Sequence, residues 1–507
     1  MKAFLMQRAR DFDPKQPLPP NEQIVRKDLE LETIFAAMAG GDELVQGVAA
    51  TAILTAAGND VATIRYRQDA LKDAVRNPEA VRDMYGLAGE AIQRHKKVWP
   101  RFREYPSGRL DNAVEAMGIF IDVLIRLRRL ADQGVEGFES DAFRNLFMTL
   151  QRELSDDYFH LIDDHLKALK FRNGVLVSAK LGRGLKGTGY GLRSSPKLQR
   201  NWFAKLFNDH PRSYSIFLAP RDEAGAQAMS ELRDRGLGLA ANALAKSAEH
   251  VLSFFQMLRT ELAFYVGCLN LHEKLLAMDS PFSYPDVSES EPVRFRSRQL
   301  YDVTLALTKG ARPVGNDIDA DGKTLIIVTG ANQGGKTTFL RSFGGAQLMA
   351  QAGMFVAADH LETSTVDGVF THFKREEDVT MKSGKFDEEL SRMSDIVNAL
   401  TPRGMILFNE SFSATNEREG SEIARQIVSG LLERGHRIVF VSHQYDFTHS
   451  LYERGLNDAL FLRADRQDDG TRTFRLVEAA PLATSFGEDV YREVFGEDQR
   501  MPESAAV

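Results

Sequence analysis

One short stretch concentrates the residue types that hold polyphosphates. GANQGGKT at 330–337 has the spacing G-x-x-x-x-G-K-T. The apolar run TLIIVT at 324–329 precedes it, and TFLR at 338–341 opens a helical pattern. This is the strand-before, helix-after setting that such a loop requires. Glycines let backbone N–H groups turn toward an anion, and the helix N-terminus adds favourable partial positive charge. Lys336 is predicted to reach the β- and γ-phosphates of a nucleotide, and the Thr337 hydroxyl to ligate Mg²⁺. The expected nucleotide contacts are Gly330, Asn332, Gly334, Gly335, Lys336, Thr337 and Thr338.

Two further apolar runs end in polar residues of the right kind. GMILFNE at 404–410 reads as a buried strand that delivers Asn409 and Glu410 to its C-terminal end. In a parallel sheet that end borders the ligand crevice. Glu410 is the candidate general base for an attacking water. Asn409 occupies the place where phosphate-loop enzymes usually carry Asp for the Mg²⁺ shell. An amide can accept a hydrogen bond there but brings no charge, so a weaker Mg²⁺ site is expected and hydrolysis is retained. RIVFVS at 437–442 is a third such run, followed by His443, placed to sense the γ-phosphate or orient water.

These residues need a scaffold. From about residue 295 onward, short apolar runs alternate with helical patterns, the signature of a parallel sheet. Before it, residues 21–169 are mostly helical by pattern: Val114, Met117, Ile121, Leu124 and Ile125 recur at three and four. Asn77 and Pro78 punctuate two of these helices, Pro78 suiting a first turn. Another long helix is predicted over 221–278. Residues 342–358 read as a helix end plus a buried strand, and Pro281, Pro285 and Pro292 as a linker. Residues 171–198 between the helical arms are Gly-rich and predict one or two β-hairpins at the far end of a stalk. The tail after Phe495 is short and polar.

Charge is segregated along the chain. From Lys170 to Arg212 ten Lys/Arg face a single acid, Asp209, giving +9 within a chain of net charge −7. Tyr190, Trp202 and Phe203 are interleaved. Such a stretch suits phosphate-backbone contact, with Lys180, Arg183, Lys186, Arg193 and Lys197 as the candidate nucleic-acid contacts. The bland alternative is a solvated loop or one paired with nearby acidic helices. Globally the 507 residues give no pull toward nucleic acid, and suffice for two to four domains. The single cysteine, Cys268, excludes an internal disulfide and reads as a buried thiol in a reducing compartment. No secretory leader or membrane span is apparent, so a cytoplasmic protein without membrane partner is expected.

Taken together, these motifs resemble the MutS family. TGANQGGKTTFLR looks like its Walker A, ILFNESFSATNEREG like its Walker B with the following dimer-contact segment, and VFVSHQYDF like its switch-histidine strand. GMFVAAD at 353–359 and FTHF at 370–373 are similar to the family's adenosine-side and linker strands. RYRQDALKDAVRNPEAV at 65–81 is similar to its core-domain pattern, and the helical arms with their hairpin to its lever and clamp. The resemblance implies a multidomain protein. A helical core and lever domain, 1–290, would carry a β-rich clamp-like insertion at 171–220. An ABC/MutS-type α/β P-loop ATPase domain, 291–507, would follow. It further implies ATP and Mg²⁺ as cofactors, a homodimer, and DNA as partner.

Three departures qualify that reading. Only about forty residues precede the core helices, so the mismatch-reading domain is not expected; the Phe102-Arg-Glu104 triplet is a coincidence within the helical core. The signature loop that contacts the partner's γ-phosphate is shortened to MKSGKF at 381–386, leaving Ser383 for the contact in trans. A nuclease-like extension after the ATPase is not expected. The expected function is a dimeric DNA-binding ATPase of repair or recombination. The alternative is a nucleotide-gated interaction protein whose partner is a protein or RNA.

Overall fold

A computed structural model describes residues 1–98, 105–134, 136–171, 174–193, 215–375, 384–467 and 471–483. The chain divides into two compact units. The first comprises Met1–Ala3, Arg82–Glu136 and Asn145–Arg259, and the second Phe4–Val81, Gly137–Arg144 and Thr260–Val507.

The first unit is helical with one hairpin. Its helix Pro106–Gly134 buries Val114, Met117 and Leu124 of the expected stripe, whereas Ile121 and Ile125 are only half-buried and Leu110, Ala113 and Phe120 complete the buried face. Phe120 stacks on His95 at 5.4 Å between ring centroids and meets Phe255 at 5.7 Å. The latter comes from the helix Glu223–Ala277, 55 residues long, of which the part up to Arg259 belongs to this unit. On the outer faces Arg94 pairs with Asp122 and Arg126 with Glu90. Ser155 caps the helix Asp156–Leu169 by accepting the Tyr158 N–H.

Strands β1 (Leu176–Leu181) and β2 (Gly187–Arg193) form the predicted hairpin, antiparallel with Leu176 opposite Arg193 and Leu181 opposite Gly187. Val177 packs at Gly236 of the long helix, and the Arg235 guanidinium lies over the Tyr190 ring at 5.7 Å.

The second unit contains two sheets. Its strands are β3 (Asp286–Ser288), β4 (Phe295–Leu300), β5 (Asn316–Asp319), β6 (Leu325–Thr329) and β7 (His360–Ser364), followed by β8 (Gly368–Phe373), β9 (Gly404–Asn409), β10 (Arg437–Val441), β11 (Ala459–Arg466) and β12 (Arg472–Glu478). Six of them run in the order β12-β11-β6-β10-β9-β8, parallel except for β12 at one edge. The order β3-β7-β4-β5 makes the second sheet. Strands β6, β9 and β10 are buried almost throughout, as near-continuous apolar sequences in a covered parallel sheet should be. Phe408 and Phe440 stack across β9 and β10 at 4.8 Å, and Val428 and Leu431 of the helix Glu417–Glu433 close the same core.

The helices Glu22–Asp28, Leu31–Ala39, Glu43–Leu54 and Val61–Arg76 belong to this unit as well. Arg67, predicted as part of a core pattern, is buried at 1% exposure, where it donates to the carbonyls of Met6 and Ala352. Cys268 is buried, and burial pushes its thiol far up. Two expectations need correction. The proline-marked linker is a packed segment: β3 pairs in parallel with β7, and the carbonyls of Pro281 and Pro285 accept from Tyr301 and Gln68. The buried strand expected before residue 358 is not a strand. Residues 354–358 are buried, and among the described residues they are tied to neighbours by the isolated bridge of Val356 with Ser283 and by the Tyr301 N–H, which donates to the Ala357 carbonyl at 3.0 Å, with no ladder. The tail after Phe495 and the triplet at 102–104 lie outside the described residues.

Candidate functional site

Strand β6 delivers the chain into the loop at Gly330, whose φ of +110° is open to glycine alone; a Cβ there would also lie 2.8 Å from the Ala464 nitrogen. The loop closes on Gly335, φ +89°, which precedes the first turn of the helix Lys336–Gln351. Lys336 is buried and folds back to donate to the carbonyls of Gly330 at 2.8 Å and Ala331 at 3.0 Å. Burial pushes its ammonium below the usual range; Glu410 opposes that shift and Arg472 adds to it. The Thr337 hydroxyl donates to Asn409 Oδ1 at 3.1 Å.

Parallel pairing sets the height of the other groups. Asn409 at the end of β9 lies opposite Val441 of β10, and the Glu410 N–H donates to the Val441 carbonyl at 2.9 Å. Glu410 has φ +53° and Phe412 φ +61°. Left-handed backbone at a non-glycine residue costs about 1–3 kcal/mol and persists only where its surroundings fix it. Here they do. The Ser411 hydroxyl is buried between His372 Nδ1 and the His372 carbonyl, at 2.7 and 2.6 Å. Gln444 donates to the Phe412 carbonyl at 2.9 Å, and Ser413 to that of Glu410 at 2.8 Å. At Gly420 any side chain would collide with the Phe412 carbonyl. The effect is to turn the Glu410 carboxylate toward the loop, where His443 Nδ1 lies 3.9 Å from it. That separation is too long for a direct hydrogen bond.

A cavity of about 450 Å³ opens over the loop, with Asn332, Gly334, Gly335, Lys336, Thr337, Thr338 and Glu410 on its wall. The rest of the wall comes from residues between 300 and 316, including Asp302, Arg312, Val314 and Asn316, and from Phe474. The segment 353–359, expected on the adenosine side, lines none of this cavity. Sequence reading missed Asp302, Asn316 and Phe474. Asp302 had a legible signal: Asp before an apolar helical run is an N-cap. It accepts from the Thr304 and Leu305 N–H groups, capping the helix Val303–Lys309, and from Arg341 Nε at 3.1 Å.

Thr337 and Asn409 offer hard oxygen donors, and among the described residues there is no cluster of three His, Cys, Asp or Glu side chains able to hold a metal. This donor set fits Mg²⁺, which binds through few protein oxygens plus substrate phosphates. Ser383 and Lys197 lie outside the described residues. Lys180, Arg183, Lys186 and Arg193 are all exposed on the hairpin. Arg193 donates to Ser178, while among the described residues the other three make no ion pair. The phosphate-binding loop, Asn409, Glu410 and His443, which follow or end β6, β9 and β10, are thus brought together, and the described cations Lys180, Arg183, Lys186 and Arg193 belong to the other unit.

Comparison with known proteins gives two family matches. The MutS2 N-terminal domain matches residues 59–278, and MutS domain V matches residues 326–501. Individual relatives carry the name DNA mismatch repair protein MutS. The one from Chloroflexus aurantiacus is 34% identical over 160 residues, 29% of this chain and 17% of the relative. That from Porphyromonas gingivalis is 32% identical over 219 residues, 42% and 24% respectively. That from Methanosarcina acetivorans is 27% identical over 279 residues, 52% and 31%. The matched stretch is therefore less than a third of each of these relatives. No helix among the described residues is long and apolar enough to cross a membrane.

Proposed function

The chain belongs to the MutS family, and on that premise we propose that it is a Mg²⁺-dependent ATPase that binds DNA and acts as a homodimer in DNA repair or recombination. One observation supports this most: residues 332–338 of the phosphate-binding loop and its helix share a cavity wall with Glu410, while Asn409 and His443 stand just off that wall, Asn409 bonded to Thr337 and His443 3.9 Å from Glu410.

In this reading the loop N–H groups and Lys336 bind the β- and γ-phosphates, Lys336 exchanging two carbonyls for phosphate oxygens. Mg²⁺, when bound beside Thr337 and Asn409, supplies charge neutralisation of those oxygens. Glu410 accepts the proton of the attacking water, and His443 orients that water. Ser383 of one protomer would complete the partner's site. Nucleotide-driven closure would be passed along the helical arms to the hairpin, where Lys180, Arg183, Lys186, Arg193 and Lys197 hold the DNA backbone. The localisation that fits is cytoplasmic.

The test is ATP turnover by the full chain, alone and with duplex or branched DNA at moderate salt. Turnover that rises with DNA supports the reading, and absence of turnover under every condition overturns it. Asn409, which brings no charge to the metal side, favours a second reading: ATP as a conformational ligand of a protein- or RNA-binding device. That reading gains if nucleotide binds but DNA leaves its turnover unchanged.

A further inference from the structure

Strand β12 carries Arg472, which sequence reading left without a role. Its partner β11 runs parallel to β6, with Arg463 opposite Thr329, and the β11–β12 pairing sets Arg472 opposite Arg466. Arg472 therefore stands beyond the end of β6, level with the phosphate-binding loop. Its Nη1 donates to Gln333 Oε1 at 2.8 Å. Its Nε is enclosed with no hydrogen-bond partner, and the side chain makes no ion pair among the described residues.

Gln333 is the loop residue that most needs an anchor. It has φ +59°, a left-handed conformation that a side chain disfavours, and it lies on the cavity wall. Arg472 itself is not on that wall. The same hairpin also braces the loop's glycines. Ala464 of β11 crowds Gly330 and Gly334, and Phe474 backbone of β12 lies beside Gly335. The loop is thus held from outside by one hairpin, and the only side-chain hydrogen bond in that brace runs from Arg472 to Gln333 among the described residues.

We propose that Arg472 is a positioning residue for nucleotide binding: through its hydrogen bond to Gln333 it holds the phosphate-binding loop in the left-handed turn that presents its N–H groups. This rests on the nucleotide reading of the loop. A charge-assisted hydrogen bond acts here on a neutral amide, so its strength comes without an opposing carboxylate to pull the guanidinium away.

The experiment is a double-mutant cycle on the full chain, read as ADP affinity by calorimetry in Mg²⁺ buffer. Arg472→Gln is expected to weaken ADP binding roughly tenfold. Gln333→Gly removes the strain and the tether together, since glycine takes φ > 0 freely. On that background Arg472→Gln should cost less than about twofold more. Arg472→Lys, which retains one donor for Gln333, should recover most of the loss. Arg472→Gln within about twofold of wild type, or an undiminished loss on the glycine background, overturns the proposal. Should Arg472→Gln fail to fold, as judged by its nucleotide-free melting curve, the cycle is run with Arg472→Met, which also removes the donor, and Gln333→Gly, and full additivity there has the same meaning. Wild-type protein that binds no ADP, indistinguishable from Lys336→Ala, is a different result: it removes the nucleotide reading itself.

Discussion

The Thr337 hydroxyl and the Asn409 side-chain oxygen meet at 3.1 Å, across 72 residues of sequence, at the mouth of the parallel sheet. The contact joins the first turn of the loop helix to the end of β9. Because the acceptor is an amide, it contributes an oxygen and no charge to the metal side of the site.

Asn409→Asp is expected to place a carboxylate beside Thr337 and lower the Mg²⁺ concentration needed for half-maximal nucleotide binding by roughly tenfold, the effect of one added charge on a small hard cation. A Mg²⁺ titration of fluorescent-ADP binding measures it. An unchanged midpoint would place the metal away from position 409.

Glu410→Gln keeps the size and the left-handed backbone of the residue but cannot take a proton. Turnover should fall by roughly 10²–10⁴-fold while ATP affinity stays near wild type. Single-turnover hydrolysis and equilibrium binding, measured on the same preparation, separate the two. Turnover within a few-fold of wild type would move the general base elsewhere.

The brace behind Glu410 makes a pH prediction. Burial, with the Arg392 and Arg375 charges adding to it, pushes His372 down to about 4. Its folded value lies below the unfolded one, so between about pH 6.5 and 4 the unfolded chain binds the extra proton. Stability should therefore fall as pH drops through that window, by up to about 3 kcal/mol from this residue. Urea unfolding from pH 7 to pH 4.5 should show a shallower decline for His372→Gln than for wild type. Parallel curves would remove His372 as a source of acid sensitivity.

Charge reversal on the hairpin, Lys180→Glu with Arg183→Glu and Lys186→Glu, should weaken duplex binding. Its salt dependence should flatten by about 0.9 in log–log slope for each phosphate that is no longer neutralised. Fluorescence anisotropy at several salt concentrations reads both. Binding that is unaffected in strength and slope would assign these exposed cations to solvent.

Much of the site was legible because its signals are local. The loop, the two strand-end carboxamide and carboxylate positions, and His443 each announce themselves within ten residues of sequence, since an apolar strand followed by a polar terminus has few other meanings. The hairpin was legible for the same reason, from glycine and alternation. What escaped depends on pairing between distant segments. Residues 300–316 face the loop only because β4 and β5 pair in the second sheet. Arg472 reaches Gln333 only because β12 turns back along β11. The proline-rich stretch misled because turn residues mark bends in a packed segment as readily as they mark a free linker.

Arg341, on the loop helix, pairs with Glu30 as well as with Asp302, and Leu29 packs on Gly344 of the same helix. Fragmentation experiments inherit a constraint from this. A piece cut to the motif-bearing stretch 295–465 would discard Leu29 and Glu30, uncover an apolar groove along the loop helix and leave Arg341 without one of its two carboxylates. Such a piece should aggregate or bind nucleotide poorly for reasons unrelated to its motifs. Soluble truncations should therefore retain the first eighty residues, because Leu29 and Glu30 cover a helix some three hundred residues further along the chain.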